Sequence, residues 1–333
     1  MAYRAIHLSN DPIAYFLQQS DEGPHLRVAD VVLRANMKAT EIFSGLIRFA
    51  TNSAWSHSAV LYLISDPPQG FDNTFLVEAM TTGVRVASWR NEVEPPEQFT
   101  VGIRRLNVDW YAETARDVSK RDQDDPEDVK GIGYLRHIRG LALDQINELY
   151  NQNTIDELTA LYVERVTKRY HIPFASKLAD DIANYFKQRD ESVLRFICSG
   201  LVQYSFFEAL RRRIINDYAN PAFRDSAMSN LSNLHRVIYH PDPEGIIANY
   251  VQQVQSGKLD ITADVPDDVL DLLKTTTPAD INNTANLEWR YVIRKGWVWQ
   301  IATDAPDNYQ PQSQDEAAVL ALMNPEHAAT KSS

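Results

Sequence analysis

The sequence predicts an α+β protein in which an antiparallel β unit packs against one helix with a buried face. Three observations carry that prediction. Between residues 26 and 107, short apolar and β-branched runs are separated by turn clusters, the signature of strands. From about 129 to 190, and again from 198 to 213, the apolar spacing is helical. Late in the chain, 287–293 and 297–301 read as a closing pair of strands joined by Arg294-Lys295-Gly296.

The elements follow in order. The first residues are mixed and weakly patterned, and 26–34 reads as the first strand. Residues 40–50 carry apolar side chains at 42, 43, 46, 47 and 50, which predicts a short helix. Ser56 to Ile64 is apolar on both faces, as a buried strand is, and Asp66-Pro67-Pro68-Gln69-Gly70 is a turn. Strands at 75–80, 82–89 and 99–106 complete the β unit. The acidic stretch at 121–128 reads as a loop, because it lacks the alternating ligands and the glycine of a calcium site. Helices are expected at 133–150, 154–170 and 175–189, then from 198, where apolar or small residues recur at 201, 202, 205, 206, 209 and 210. Arg211-Arg212-Arg213 would close that helix with positive charge, favourable against its dipole.

This gives one domain over 1–303: a β unit at 26–107, a helical insertion at 108–190, the helix at 198–213, extra helices at 214–275 and closing strands at 286–302. Residues 304–333 read as a mostly disordered tail, apart from an apolar patch at 317–323.

Composition narrows the function. The chain has 333 residues, 45 acidic against 33 basic, and a net charge of −12, which disfavours a duplex-binding surface and predicts no nucleic-acid partner. One cysteine excludes an internal disulfide and suits a reducing compartment. No signal-peptide core and no apolar run of about 18 residues is present, so the expectation is a cytoplasmic protein without an integral membrane segment, another secretion route remaining open. Twelve glycines form no phosphate-cradling loop. The eight histidines include no H-E-x-x-H motif, and His235 and His240 are poorly spaced for one helix face, so no metal and no cofactor are expected.

The remaining chemistry is thiol chemistry. Cys198 stands at a helix N-terminus, where a thiolate is stabilised. A lone cysteine is also a common small core residue. His57 begins the buried strand, and Glu78 lies in the apolar run 75–80; a near-symmetric hairpin centred on Pro67-Pro68 sets them opposite each other on one face. A glutamate in such a strand needs a partner, which a histidine supplies either structurally or as part of an active site. With Cys198 added, the three residues are the parts of a cysteine hydrolase: nucleophile, base and orienting acid.

Cys198-Ser199-Gly200-Leu201-Val202-Gln203-Tyr204 resembles the nucleophile motif of the NlpC/P60 papain-like cysteine peptidases. Ala29-Asp30-Val31-Val32-Leu33 resembles their "GD" strand, with Ala29 where glycine is usual. His57-Ser58-Ala59-Val60-Leu61-Tyr62-Leu63 resembles their histidine strand, and Phe75 to Ala79 followed by Gly83 to Val86 the strands around the third polar residue. Here histidine and glutamate precede cysteine, the order of the circularly permuted YiiX/YaeF-like branch, whose relatives include lecithin:retinol acyltransferase-like enzymes. Thr51 to His57 and Thr277-Pro278-Ala279-Asp280 also resemble that branch. The resemblance implies a permuted papain-like fold, a sheet or barrel packed on the nucleophile helix, with helical insertions at 108–190 and 214–275 that it does not explain. It implies Cys198 as nucleophile, His57 as base and then acid, Glu78 as the residue orienting His57, Asp30 as structural, and Tyr134 and Ser199 as oxyanion or substrate-binding residues. The implied activity is cleavage of a peptide or other amide, peptidoglycan-type peptides being the usual substrates. Two alternatives stand beside it: a lipid-directed acyltransferase or thioesterase on the same scaffold, and an inactive binding module. The substrate and the oligomeric state are not set by the sequence.

Overall fold

Side chains along a strand alternate between faces, and here the alternation sorts the apolar residues into two cores. In a computed structural model describing residues 2–17, 19–20, 23–36, 53–63, 74–80, 83–93, 99–108, 110, 132–145, 197–242 and 244–323, the described residues form one mixed α and β unit. The sequence expectations at 40–50, 66–70, 121–128, 154–170, 175–189 and 324–333 lie outside the described residues.

The elements run β1 (Ala2–Ser9), α1 (Pro12–Leu17), β2 (Gln19–Ser20), β3 (Gly23–Pro24), β4 (Val31–Asn36), β5 (His57–Leu63), β6 (Phe75–Met80), β7 (Gly83–Ser88), α2 (Trp89–Val93) and β8 (Phe99–Leu106). They continue with α3 (Ile132–Asp144), α4 (Ile197–Tyr218), α5 (Arg224–Asn230), a 3-10 helix (Leu231–Val237), α6 (Ile246–Gln255), α7 (Asp267–Lys274), α8 (Pro278–Asn283), β9 (Leu287–Arg294), β10 (Trp297–Ala305) and α9 (Gln314–Met323). Eight strands make one sheet in the order β1-β10-β9-β8-β4-β5-β6-β7, and its ladders are antiparallel. The α+β class therefore holds.

Val31, Leu33, Val60 and Val292 face the core shared with α3 and α4, whose Ile138, Val202 and Phe206 are buried there. Val32, Ala59, Leu61, Leu76 and Ile293 face the other core, under Phe16 of α1 and Trp89 of α2. β4 and β5 are thus covered on both sides, which is why the runs Val31 to Leu33 and Ala59 to Leu61 are apolar on both faces.

Local chemistry fixes the joints. Ala29 has φ 65°, a left-handed conformation that costs a residue with a Cβ about 1–2 kcal/mol, which is the physical reason a glycine suits that position. The next residue, Asp30, accepts from the Arg27 N–H at 2.8 Å and from Arg105 Nε and Nη2 at 2.7 and 2.6 Å, clamping the start of β4 to β8. Lys295 and Gly296, at φ 54° and 76°, form the two-residue turn between β9 and β10, with Arg294 and Trp297 paired across it. Buried Arg104 donates to the carbonyls of Ile281, Asn282, Thr284 and Leu287, so its charge rests on the C-terminal end of α8.

Three expectations need correction. β1 is a full strand at one edge of the sheet, paired with β10 from the far end of the chain. Residues 304–323 are ordered: α9 buries Val319 and Met323, Trp55 Nε1 donates to the Leu322 carbonyl at 3.1 Å, and Glu316 accepts from the Ala5 N–H at 3.2 Å. The apolar patch at 317–323 was the part of the tail with surface to bury. The arginine triplet does not end its helix, which runs on to Tyr218; Arg211 and Arg212 pair with Glu208 at 3.1 and 2.9 Å, and Arg213 with Asp217 at 3.5 Å. Ion pairs one turn away, not the dipole, account for them.

Gly200 is the tightest joint at α4. A Cβ there would lie 2.8 Å from the Lys274 carbonyl oxygen and 3.1 Å from its Cα. Glycine to alanine inside a helix normally gains about 1 kcal/mol. Here the obstacle is backbone, so Gly200→Ala is expected to destabilise by about 1–3 kcal/mol, read as a lower denaturant midpoint.

Candidate active site

Four elements meet at the beginning of α4. Cys198 is its second residue, so the sulfur lies at the positive end of a 22-residue helix. The first turn is tied to β5 by the Ser58 and Ser199 hydroxyls, 3.1 Å apart and both fully buried. Gly200 lets the turn before α8 approach from the other side. That turn is held by a capping box: Thr277 N–H donates to Asp280 Oδ2 at 2.7 Å, and Asp280 N–H to Thr277 Oγ1 at 3.0 Å.

His57 opens β5, where it is paired with Arg34 of β4. On its other flank, β6 pairs Glu78 with Ala59, two residues from the symmetric hairpin register. A slip of two keeps the face, and His57 Nε2 lies 2.6 Å from Glu78 Oε2. Leu63 pairs with Phe75, three residues off the symmetric register, and the one-residue shift between Leu61 and Leu63 reduces this to two, which restores the shared face. Glu78 Oε1 accepts from Arg85 Nε and Nη2 of β7 at 2.8 and 2.7 Å.

His57 and the Cys198 sulfur are coupled as well, each acting on the other's ionisation. Burial alone would raise the thiol pKa, but the His57 charge and hydrogen bond outweigh it, helped by the Ser58 backbone N–H and the Ser199 hydroxyl, and the thiol is lowered. Burial alone would lower the imidazole; the Cys198 thiolate and the bond to Glu78 outweigh it and lift His57 to about 9, against the opposing charge of Arg34. Burial likewise opposes ionisation of Glu78, yet His57, Arg85 and Arg34 hold it at about 2. The directions are those of a thiolate–imidazolium pair with an ionised carboxylate behind it.

Of the residues read from the sequence, Cys198, His57, Glu78 and Ser199 are brought together. Ser199 Oγ is 3.7 Å from the sulfur. Tyr134 is not with them: its hydroxyl donates at 3.0 Å to the carbonyl of Phe206, eight residues along α4 and thus about 12 Å from Cys198. It is a buried core aromatic in this arrangement. Asp30 is held by Arg105, away from the triad. The sequence reading missed Arg34, Ser58 and Arg85. Arg85 had a signal, because a tight turn centred between Thr81 and Thr82 places it opposite Glu78.

Among the described residues, no group of three or more His, Cys, Asp or Glu side chains is placed to hold a metal ion. Among them too, no helix is long and apolar enough to cross a membrane. No family model matches the chain, and no curated protein matches it.

Glu78 gives a pH test. Its folded pKa is depressed, so its share of stability is complete above 4.5 and is lost as pH falls toward about 2. Replacing it as Glu78→Gln should flatten the stability–pH curve in that window, measured by denaturant unfolding at stepped acid pH. A curve as steep as wild type would remove Glu78 from the account.

Proposed function

We propose that the chain is a cysteine hydrolase of permuted papain-like type that cleaves an amide bond through an acyl-enzyme. The supporting observation is the continuous buried relay from the Cys198 sulfur through His57 to Glu78. The thiolate attacks the substrate carbonyl carbon; the S–C bond forms and the carbonyl π pair moves to oxygen. N–H groups in the first turn of α4 have no intrahelical acceptor and suit that oxyanion. His57 gives its proton to the departing amine as the C–N bond breaks, leaving a thioester on Cys198. It then takes a proton from water, which adds to the thioester and releases the acid, and the proton returns to the sulfur–imidazole pair. Glu78 holds the imidazole and compensates its charge throughout. A peptide is the substrate class that the resemblance supports.

The test is alkylation by iodoacetamide, with the adduct located by mass spectrometry and the rate compared with that of the unfolded chain. Cys198 should react at neutral pH faster than a free thiol, and His57→Ala should slow it. On a responsive peptide amide, Cys198→Ala should abolish turnover and His57→Ala should lower it by about 10²-fold or more. A thiol no more reactive than a free one, and indifferent to His57→Ala, sinks the enzyme reading. Acyl transfer from a lipid donor without peptide cleavage would replace hydrolysis by the transferase.

A further inference from the structure

The ladders align four charge-bearing side chains across neighbouring strands. Arg34 of β4 is the cross-strand partner of His57, and Arg85 of β7 is the partner of Glu78. Between them, β6 joins β5 in a register that keeps Glu78 on the His57 face. The contacts agree with the register: His57 Nε2 to Glu78 Oε2 is 2.6 Å, and two donors of Arg85 reach Glu78 Oε1. The two carboxylate oxygens thus have separate tasks, one toward the base and one toward the guanidinium. Arg85 lies on an edge strand with its side chain 53% exposed, whereas Glu78 is 0% exposed.

A carboxylate in an apolar strand has two ways to avoid an uncompensated charge: it takes up a proton or it turns away. Either would withdraw Oε2 from His57. Two donors on Oε1 prevent both, since they favour the ionised form and fix the plane of the carboxylate.

We infer that Arg85 is a positioning residue of this site, one that acts on His57 only by holding Glu78 ionised and in plane. It touches neither the sulfur nor the imidazole. For catalysis the inference rests on the thiol-hydrolase reading, but its test does not. Groups facing His57 are Arg34 from β4, Glu78 from β6 and Cys198 from α4; Arg85 from β7 reaches it through Glu78.

The experiment is the NMR titration of His57 in full-length protein carrying isotope-labelled histidine, assigned with His57→Gln. Wild type is expected to titrate near 9. In Arg85→Gln the loss of an ordered carboxylate should lower that value by about one unit or more. In Arg85→Lys, which keeps the charge but offers a single-point donor, it should fall less. An influence by charge alone predicts the opposite sign, because removing a cation raises an imidazole pKa. A rise or no change in Arg85→Gln overturns the inference. If that variant does not fold, judged by dispersion of its amide signals, the lysine variant decides by the same criterion: a fall supports the inference, and a rise or no change overturns it. None of these outcomes depends on turnover, so an inactive wild type would defeat the proposed function and leave this result standing.

Discussion

Glu78 sits at zero exposure in the middle of β6, and the arrangement around Cys198 depends on how its charge is compensated. Removing an ion from water costs several kcal/mol even after relaxation, and a single partner seldom offsets that. Here both oxygens are engaged, by His57 on β5 and Arg85 on β7. The electrostatics therefore enforces the ladder as firmly as the apolar faces do. A slip of one residue on either side would turn the carboxylate to the opposite face and strip it of its partners. Register and ionisation are one constraint at this point of the sheet.

The helix is held to that constraint by small residues. Ser58 and Ser199 meet hydroxyl to hydroxyl, and Gly200 admits backbone at a distance no side chain allows. One turn on, Gln203 donates to the Val237 carbonyl and accepts from the Tyr239 N–H, both at 2.6 Å, anchoring α4 to the segment after the 3-10 helix. The start of α4 is thus located from the sheet, from the α7–α8 turn and from the chain beyond it. The geometry a thiolate needs is set by packing, and the dipole then acts on a sulfur already in place.

Much of this was legible in the sequence, for physical reasons. Buried strands such as β5 announce themselves because both faces are apolar, and a glutamate among them demands a partner. The face shared by His57 and Glu78 agrees with a symmetric hairpin, but their register does not: Leu63 pairs with Phe75, three residues off it, and the one-residue irregularity between Leu61 and Leu63 returns Glu78 to that face. β1 escaped notice because an edge strand half in water has no clean alternation: Ala5 is buried while His7 and Leu8 are exposed. Helix α9 was hidden in a polar setting whose Glu316 is satisfied only in the fold, by Ala5, Tyr309 and Gln312. Tyr134 beside a glycine offered no clue to its depth along α4. Such long-range contacts leave little local trace.

The pairing of β1 with β10 has a consequence for how the molecule comes into being. Ala2 lies beside Ala305, so this edge joins nearly the full length of the chain. The β4–β7 ladders link nearby segments and carry a small closure entropy, whereas the β1–β10 ladder carries the largest in the sheet. During synthesis β1 has no partner until β10 has left the ribosome. When β10 arrives and α9 lays Glu316 against the outer edge, the same contacts that complete the sheet end its exposure to aggregation.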